Sequence, residues 1–240
     1  MWEIYVSLLF IFYRSSVKFH QHIIQAAIFD MDGTLLDTER LRFKALQQAS
    51  LDIMQLEFSL DYLMQCLGLN ESSSELLAQQ FYGANIPYQQ IRKRAAQIEL
   101  AMIESNGVPL KEGVLETLKY LYSRQIPMAV ATSSAREIAE KYLQIANIEH
   151  YFKFLVCGDE VLQGKPHPEI FKTACEKFNL APKNCFMIED SENGLRSAHD
   201  ASGVAILIRD IKAPNQRMLD MADDYFESMK DFKSKLEQLN

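Results

Sequence analysis

The residues of this sequence that could carry out chemistry lie in four short polar motifs, three of which directly follow an apolar run. The first motif is Asp30-Met31-Asp32-Gly33-Thr34. Residues i and i+2 of an extended chain point to the same side, so Asp30 and Asp32 face one space about 6.5 Å apart along the backbone. That gap could hold a phosphorus atom with a carboxylate on either side. Gly33 permits a sharp turn and Thr34 a local hydrogen bond, and an ordinary surface turn is the alternative interpretation.

The second motif is a run of hydroxyl residues, Thr132-Ser133-Ser134, after an apolar segment. A hydroxyl there can bind a phosphate oxygen beside the N-terminus of the following helix, and that terminus favours anions. We predict that Ser134 caps this helix in a capping box with Glu137. Thr132 and Ser133 then remain as candidate phosphate ligands.

The third and fourth motifs supply a cation and two acids. Lys165 lies between Gly164 and Pro166, in a rigid loop where a fixed ammonium group can neutralise both an attacking carboxylate and a phosphate. Glu189 and Asp190 follow another apolar segment side by side. Such oxygen ligands suit Mg²⁺, which takes one or two carboxylates together with water and substrate oxygens. The alternative role for these acids is to complement the dipole of the next helix.

Together the four motifs describe one site. A carboxylate that attacks a phosphate dianion is repelled, and at about 4 Å each pair of unit charges costs roughly 1 kcal/mol in water and about 4 kcal/mol at an effective dielectric constant of 20. The site must therefore gather positive charge. We predict Mg²⁺ bound by Asp30 and Asp190, with Glu189 as a further candidate ligand and Lys165 beside it.

The elements that must position these motifs alternate between strands and helices. Five apolar segments predict buried strands: Ile23–Phe29, Ile126–Thr132, Phe154–Gly158, Asn184–Glu189 and Val204–Ile208. Helical patterns separate these segments. The alternation predicts an α/β fold, with a Rossmann-like parallel sheet and helices on both of its faces.

Residues 38–108 interrupt this alternation with four helical patterns and no convincing strand. An all-helical block inserted after the first strand predicts a cap domain over the carboxyl edge of the sheet, where open α/β folds bind ligands. We therefore divide the chain into an α/β core (20–37 and 109–240), a helical cap (38–108) and an N-terminal extension (1–19). The extension is interpreted as a disordered segment or as sequence upstream of the native start.

The composition limits the classes of partner. The formal net charge of −7 provides no basic field for nucleic acid, so we expect no nucleic-acid partner. The apolar run Trp2–Tyr13 is about half the length that spans a bilayer, so we expect no membrane anchor. The four cysteines contain no C-x-x-C pair and are interpreted as reduced core residues of a cytoplasmic protein.

The four motifs resemble, in order and spacing, those of the haloacid dehalogenase superfamily over about residues 23–210. The subgroup resembled is the phosphatases and β-phosphoglucomutases with a helical cap between the first two motifs. The resemblance implies a Mg²⁺-dependent phosphatase that hydrolyses a small phosphomonoester, such as a sugar phosphate, through an aspartyl-phosphate intermediate. The expected partner is a small phosphorylated metabolite, and we expect a monomer or a weak dimer.

The resemblance also implies a role for each motif. Asp30 would be the nucleophile, and Asp32 would first donate a proton to the leaving alcohol and then accept one from water, so it must start protonated. Asp30, Asp190 and the backbone carbonyl of Asp32 would hold Mg²⁺, with Glu189 assisting. The candidate phosphate-binding and substrate-binding residues are Gly33, Thr34, Thr132, Ser133, Lys165 and Arg42.

Two departures from related subgroups favour hydrolysis. The founding dehalogenases lack the second aspartate, so Asp32 argues against cleavage of a carbon–halogen bond. The mutases usually carry a histidine where this chain has Arg42, and they place cations around a cap glycine. The corresponding stretch here, Cys66–Glu71, contains no cation around Gly68. A phosphoglucomutase and an aspartate-phosphorylated signalling module remain as the alternatives.

Overall fold

The structure is a computed structural model that describes residues 15–69 and 71–240. A short antiparallel hairpin of β1 (Val17–Phe19) and β2 (His22–Ile24) precedes the main sheet. That sheet consists of β3 (Ala26–Phe29), β4 (Met128–Ala131), β5 (Phe152–Val156), β6 (Cys185–Glu189), β7 (Val204–Ile208) and β8 (Asp224–Phe226). The strand order is β5-β4-β3-β6-β7-β8, and all neighbouring strands are parallel.

The part of the chain that the structure describes contains ten α-helices. In chain order they are α1 (Thr38–Met54), α2 (Leu60–Cys66), α3 (Glu71–Tyr82), α4 (Tyr88–Asn106), α5 (Val114–Ser123), α6 (Arg136–Ile145), α7 (Glu169–Phe178), α8 (Glu192–Asp200), α9 (Gln216–Met221) and α10 (Met229–Leu239).

The core lies on both faces of the sheet because its strands are apolar on both sides. In β3, Ala27 and Phe29 pack with α5, α6 and α10, whereas Ala26 and Ile28 face α7 and α8. A continuous apolar strand buried on two faces is typical of parallel sheets covered by helices. The predicted α/β class is therefore confirmed, and so is the helical cap inserted after the first strand of the sheet.

The four cap helices, α1–α4, enclose a hydrophobic cluster of their own. Phe58 and Tyr62 pack edge to face with ring centroids 4.7 Å apart, and Tyr82 stacks on Phe58 at 4.8 Å. Such aromatic pairs contribute about 0.5–1.5 kcal/mol beyond the area that they bury. Because this cluster is separate from the two cores of the sheet, the cap has its own source of stability. The domain boundaries at 38 and 108 stay predictions.

Several element bounds differ from the expectations. The run Ile23–Phe29 divides between β2 and β3 at Gln25. The N–H of Gln25 donates to the carbonyl of Asn184 at 2.7 Å, outside the hydrogen-bond ladders of the two strands. The strands β1 and β8 were not predicted, because three residues are too few to show a clear alternation.

The predicted capping box at Ser134 is wrong. Helix α6 begins at Arg136, and the N-cap residue Ala135 makes no side-chain hydrogen bond. The carboxylate of Asp159, from a distant loop, accepts the N–H of Arg136 at 3.2 Å and takes over the capping function. The hydroxyl of Ser134 is therefore available for another partner.

Residues 1–14 lie outside the described part of the chain, and with them most of the predicted extension 1–19 and the apolar run Trp2–Tyr13. The last residues of the extension belong to β1, where Val17 and Phe19 are buried in the core. Within residues 15–69 and 71–240, no helix combines the length and the apolar content needed to cross a bilayer.

Candidate active site

Three adjacent strands carry polar residues directly past their carboxyl ends. Asp30 follows β3, Thr132 follows β4 and Asp190 follows β6. Strand β3 lies between the other two, and all three run in the same direction. The parallel sheet therefore delivers these three side chains to one edge, as expected for an open α/β fold.

Lys165 reaches this edge from the loop before α7. Its Nζ donates to Asp30 Oδ1, to Glu189 Oε1 at 2.6 Å and to the carbonyl of Ala131 at 2.9 Å. The side chain is only 5% exposed, and the ammonium lies 5.2 Å from the centroid of the Phe171 ring. Lys165 is therefore not a solvated surface lysine. Its role as a cation that neutralises the site stays a prediction.

The two acids after β6 are held by hydroxyl groups. Glu189 Oε2 accepts from the Ser191 hydroxyl at 3.0 Å, and Asp190 Oδ1 accepts from the Thr34 hydroxyl at 2.8 Å. Together with Asp30, these acids offer three carboxylate oxygens within 4.8 Å of one another. Hydroxyl donors thus orient two of the three carboxylates towards the same small volume.

Two glycines allow these acids to approach the backbone closely. Gly33 has a φ of +87°, and a Cβ at this position would lie 2.5 Å from Asp190 Oδ2. A Cβ on Gly194, in the first turn of α8, would overlap the carboxylate of Glu189. Neither position has room for a larger side chain, which ties both glycines to the geometry of the acid cluster.

The electrostatics of the cluster are dominated by burial and by like charge. Burial raises the pKa of Asp30 well above its usual value, and the charges of Glu189 and Asp32 raise it further although Lys165 opposes them. The pKa of Asp190 is raised by burial, then by Glu189 and Asp30. Burial acts to lower the pKa of Lys165, but the two carboxylates beside it outweigh that effect and raise this pKa.

The acid cluster fits a divalent cation. Three carboxylates of Asp30, Glu189 and Asp190 surround a single ammonium, so with all of them charged the site carries two surplus negative charges. Clustered carboxylate oxygens are the ligands that Mg²⁺ accepts in proteins. Of the three acids, Glu189 already binds Lys165 and Ser191 through its two oxygens, so Asp30 and Asp190 are the more available ligands.

The carboxylate of Asp32 is held by two hydroxyls that the sequence did not single out for this role. Thr38, fully buried at the start of α1, donates to Asp32 Oδ1 at 2.8 Å. Ser134 donates to Asp32 Oδ2, also at 2.8 Å. For Ser134 the sequence pattern indicated a helix-capping residue instead.

The remaining phosphate-binding candidates differ in whether their hydrogen-bond donors are already engaged within the protein. Gly33 donates its N–H to the Leu36 carbonyl at 2.8 Å, and the Thr34 hydroxyl binds Asp190. Thr132 is buried, and its hydroxyl accepts the Ser134 N–H at 3.1 Å while keeping its own hydrogen to donate. Ser133 is exposed on the loop beside them. The contacts of Gly33 and Thr34 thus serve the turn and the acid cluster, whereas Thr132 retains a donor.

Arg42 lies in the cap rather than in the acid cluster. Its guanidinium binds Glu39 at 2.6 Å and lies 3.8 Å from Glu99, which comes from the distant helix α4. Burial raises the pKa of both glutamates, and the nearby charge of Asp32 adds to this increase. Glu39 directly follows Thr38, whose hydroxyl binds Asp32, so the Arg42–Glu39 pair lies in the cap close to Asp32.

Comparisons with known proteins point to one family. The sequence profile of the haloacid dehalogenase-like hydrolases matches residues 27–208. The phosphorylated carbohydrates phosphatase of Thermotoga maritima is 31% identical over 195 residues, which cover 79% of this chain and 89% of the relative. A fructose-1-phosphate phosphatase of Escherichia coli is 31% identical over 188 residues, or 76% of this chain and 95% of the relative.

A solved structure shows the same architecture. The crystal structure of a Thermotoga maritima protein, provisionally described as a β-phosphoglucomutase, superposes with a TM-score of 0.76 at 26% identity. The match covers 90% of this chain and 99% of that one. Profile, relatives and structure together confirm the resemblance that the four motifs indicated, and they confirm an enzyme of the phosphoric monoester hydrolase class.

Proposed function

Since the chain belongs to the haloacid dehalogenase-like hydrolase family, we propose that it is a Mg²⁺-dependent phosphatase that hydrolyses a small phosphomonoester through an aspartyl-phosphate on Asp30. The observation that carries the proposal is the position of Asp30 at the carboxyl edge of the sheet, bound to Lys165 and beside Asp190 and Glu189. A carboxylate in this place can approach a phosphate only when positive charge offsets their repulsion, and Lys165 supplies part of that charge.

The reaction divides into two displacements at phosphorus. In the first, an Asp30 oxygen attacks the phosphorus, the bond to the substrate oxygen breaks, and protonated Asp32 donates its proton to the leaving alcohol. In the second, water attacks the same phosphorus, Asp32 accepts a proton from that water, and the bond to Asp30 breaks. The products are the alcohol and inorganic phosphate, and Asp30 and Asp32 return to their starting states.

The other site residues stabilise charge during both displacements. Lys165 neutralises negative charge on Asp30 and on the phosphate oxygens, and the hydroxyl of Thr132 donates to a phosphate oxygen. Thr38 and Ser134 orient the carboxyl group of Asp32. Asp30, Asp190 and the Asp32 carbonyl would hold Mg²⁺, with Glu189 in support, and the bound ion would supply positive charge that offsets the charge of the phosphate.

We assign a sugar phosphate or a similar metabolite as the substrate. The relatives of this chain include a phosphatase of phosphorylated carbohydrates and a fructose-1-phosphate phosphatase, which supports this class. The cap also contains a polar cavity lined in part by Glu39 and Arg42, near Asp32, where a polar leaving group would fit.

The test is phosphate release from a broad panel of phosphomonoesters by the purified chain, with and without Mg²⁺. We expect Mg²⁺-dependent turnover that Asp30→Asn lowers at least about a thousandfold, as is typical when a covalent nucleophile is removed. Asp61→Asn, which alters an exposed carboxylate that accepts from Gln65, is the matched control and should retain activity. A folded protein that releases no phosphate from any ester would overturn the proposal.

A further inference from the structure

The cap encloses a polar cavity of about 160 Å³ between its four helices. Binding pockets for drug-sized ligands are larger, about 300–1,000 Å³, so this cavity suits a small group. Its charged lining residues are Glu39, Arg42, Glu71 and Arg92. The cavity lies close to the catalytic centre, because its lining residue Glu39 directly follows Thr38, whose hydroxyl donates to Asp32 Oδ1 at 2.8 Å.

The two arginines of the cavity differ in their partners. Arg42 is committed to Glu39 at 2.6 Å and approaches Glu99 at 3.8 Å. Arg92, on α4, forms no ion pair or hydrogen bond with any residue in the ranges 15–69 and 71–240. Its charge does act at a distance, since it opposes the increase in the pKa of Glu39 and Glu99. Arg92 is therefore a guanidinium whose hydrogen-bond donors are available inside a cavity.

The charge balance of the cavity decides which ligand Arg92 can take. The lining holds the guanidiniums of Arg42 and Arg92 against the carboxylates of Glu39 and Glu71, and the Glu99 carboxylate lies 3.8 Å from Arg42. No surplus positive charge remains to neutralise a second phosphate dianion. The cavity does offer donors on Arg92 and acceptors on Glu71, and a sugar hydroxyl can both accept from the first and donate to the second.

This arrangement corrects one argument made from the sequence. The stretch around Gly68 contains no cation, and on the sequence alone this lack favours hydrolysis over mutase action. The fold brings Arg42 and Arg92 from α1 and α4 into the same cavity as Gly68. Cations are thus present, and it is the glutamates beside them, rather than a lack of cations, that disfavour a second phosphate.

We propose that Arg92 is a specificity-determining residue that donates hydrogen bonds to the hydroxyl groups of an uncharged, polyhydroxylated leaving group, so that the enzyme selects sugar monophosphates over sugar bisphosphates. The inference rests on the proposed phosphatase function. It goes further by naming Arg92 as the residue that binds the leaving group and sugar bisphosphates as the class of ligand that the cavity disfavours.

The test compares substrates that do and do not carry hydroxyl groups. The probes are fructose 1-phosphate, glucose 6-phosphate and sorbitol 6-phosphate, with p-nitrophenyl phosphate as the ester that lacks hydroxyls and fructose 1,6-bisphosphate as the ester that carries a second phosphate. Arg92→Ala and Arg92→Gln should raise KM for the best sugar monophosphate about 10- to 100-fold, as expected for the loss of a charged donor. Their kcat/KM for p-nitrophenyl phosphate should change less than about threefold.

A matched control lies next to Arg92 on the same helix. Lys93 is exposed and does not line the cavity, so Lys93→Ala should leave both classes of ester unaffected. The wild-type enzyme should turn over the bisphosphate at least about tenfold less efficiently than the monophosphate. Circular dichroism of both Arg92 variants checks that they fold, and the glutamine variant preserves most of the side-chain volume.

The outcomes separate this inference from the proposed function. If p-nitrophenyl phosphate is hydrolysed in an Asp30-dependent way but none of the three sugar phosphates is, the phosphatase stands and the assignment of Arg92 is overturned. Equal effects of the Arg92 variants on sugar and p-nitrophenyl esters, or a preference for the bisphosphate, would overturn it as well. Absence of Asp30-dependent turnover on every ester would instead remove the proposed function.

Discussion

Asp32 is the residue at which the core and the cap meet. One of its oxygens accepts from Thr38, the first residue of α1 in the cap region, and the other accepts from Ser134, which follows β4 in the core. Two donors on one carboxyl group leave it little rotational freedom. A group that must give and then take a proton at one defined oxygen benefits from this constraint, because misplacement of an acid–base group lowers the rate directly.

The two hydroxyls of this arrangement can be tested separately. Thr38→Val keeps the shape of the side chain and removes only its hydroxyl, and Ser134→Ala does the same for the second donor. Each should lower kcat about 2- to 12-fold with little change in KM, the range expected for one hydrogen bond of about 0.5–1.5 kcal/mol. Steady-state kinetics on one phosphate ester measures both parameters.

A hydroxyl outside the site provides the control for that experiment. Ser234 is exposed on α10, where it donates to the Lys230 carbonyl at 3.0 Å, and Ser234→Ala should leave kcat unchanged. If Thr38→Val and Ser134→Ala also leave kcat unchanged, these hydroxyls do not position Asp32 for the reaction.

At the scale of elements, the site depends on how closely α8 approaches the end of β6. Gly194 in the first turn of α8 lies against the carboxylate of Glu189, the last residue of β6. Glu189 is fully buried and also binds Lys165, so a displaced Glu189 carboxylate would disturb the cation that serves Asp30. The first turn of one helix is therefore coupled to the nucleophile through two side chains.

Gly194→Ala should expose this coupling. The added methyl group has no room beside Glu189, and overpacking of this kind costs about 1–3 kcal/mol in the free energy of unfolding. Urea denaturation measures that loss. Gly164→Ala is the matched substitution, since nothing lies within 4 Å of a Cβ at that position, and it should change the free energy of unfolding by no more than about 0.5 kcal/mol. Equal stability of the two variants would contradict the close packing of α8 on Glu189.

Much of the fold and the acid cluster could be predicted from the sequence because the relevant signals are local. Apolar runs indicate the parallel strands, and three of these runs end at polar motifs that the sheet then brings to one edge. Contacts between residues that are far apart in the sequence could not be predicted in this way. Ser134 showed a local capping pattern, yet it binds Asp32, 102 residues away in sequence. Arg92 carries no local sign of the cavity that it lines.

At the scale of the whole molecule, the stability of the protein depends on acidic groups that are buried close together at the carboxyl edge of the sheet. The pKa of Asp30 and that of Asp190 are both raised, chiefly by burial, above the value of 3.8 for an ordinary aspartate. Above pH 3.8 and up to these raised values, the folded chain binds more protons than the unfolded chain. The metal-free protein should therefore lose stability as the pH rises through this range, and a bound divalent cation should restore it.

The consequence is a pH-dependent effect of Mg²⁺ on thermal stability. The Mg²⁺-induced increase in Tm should be larger at about pH 7.5 than at about pH 5, because the carboxylates must be deprotonated to bind the ion. At pH 7.5 we expect a stabilisation of about 1.4 kcal/mol at ten times the Kd and about 2.7 kcal/mol at one hundred times the Kd. Thermal denaturation with and without Mg²⁺ measures the effect, and Asp190→Asn should abolish most of it. An increase that is equal at the two pH values would contradict a metal site made of these acids.

The central claim is that Asp30 forms a covalent bond to the phosphate that it removes. Rapid mixing of enzyme with a ³²P-labelled phosphomonoester, quenched in acid within milliseconds and followed by peptide mapping, tests this claim directly. We predict label on the peptide that contains Asp30, decaying as fast as turnover and missing from Asp30→Asn. Label on another residue, or turnover with no labelled protein at any quench time, would contradict the account.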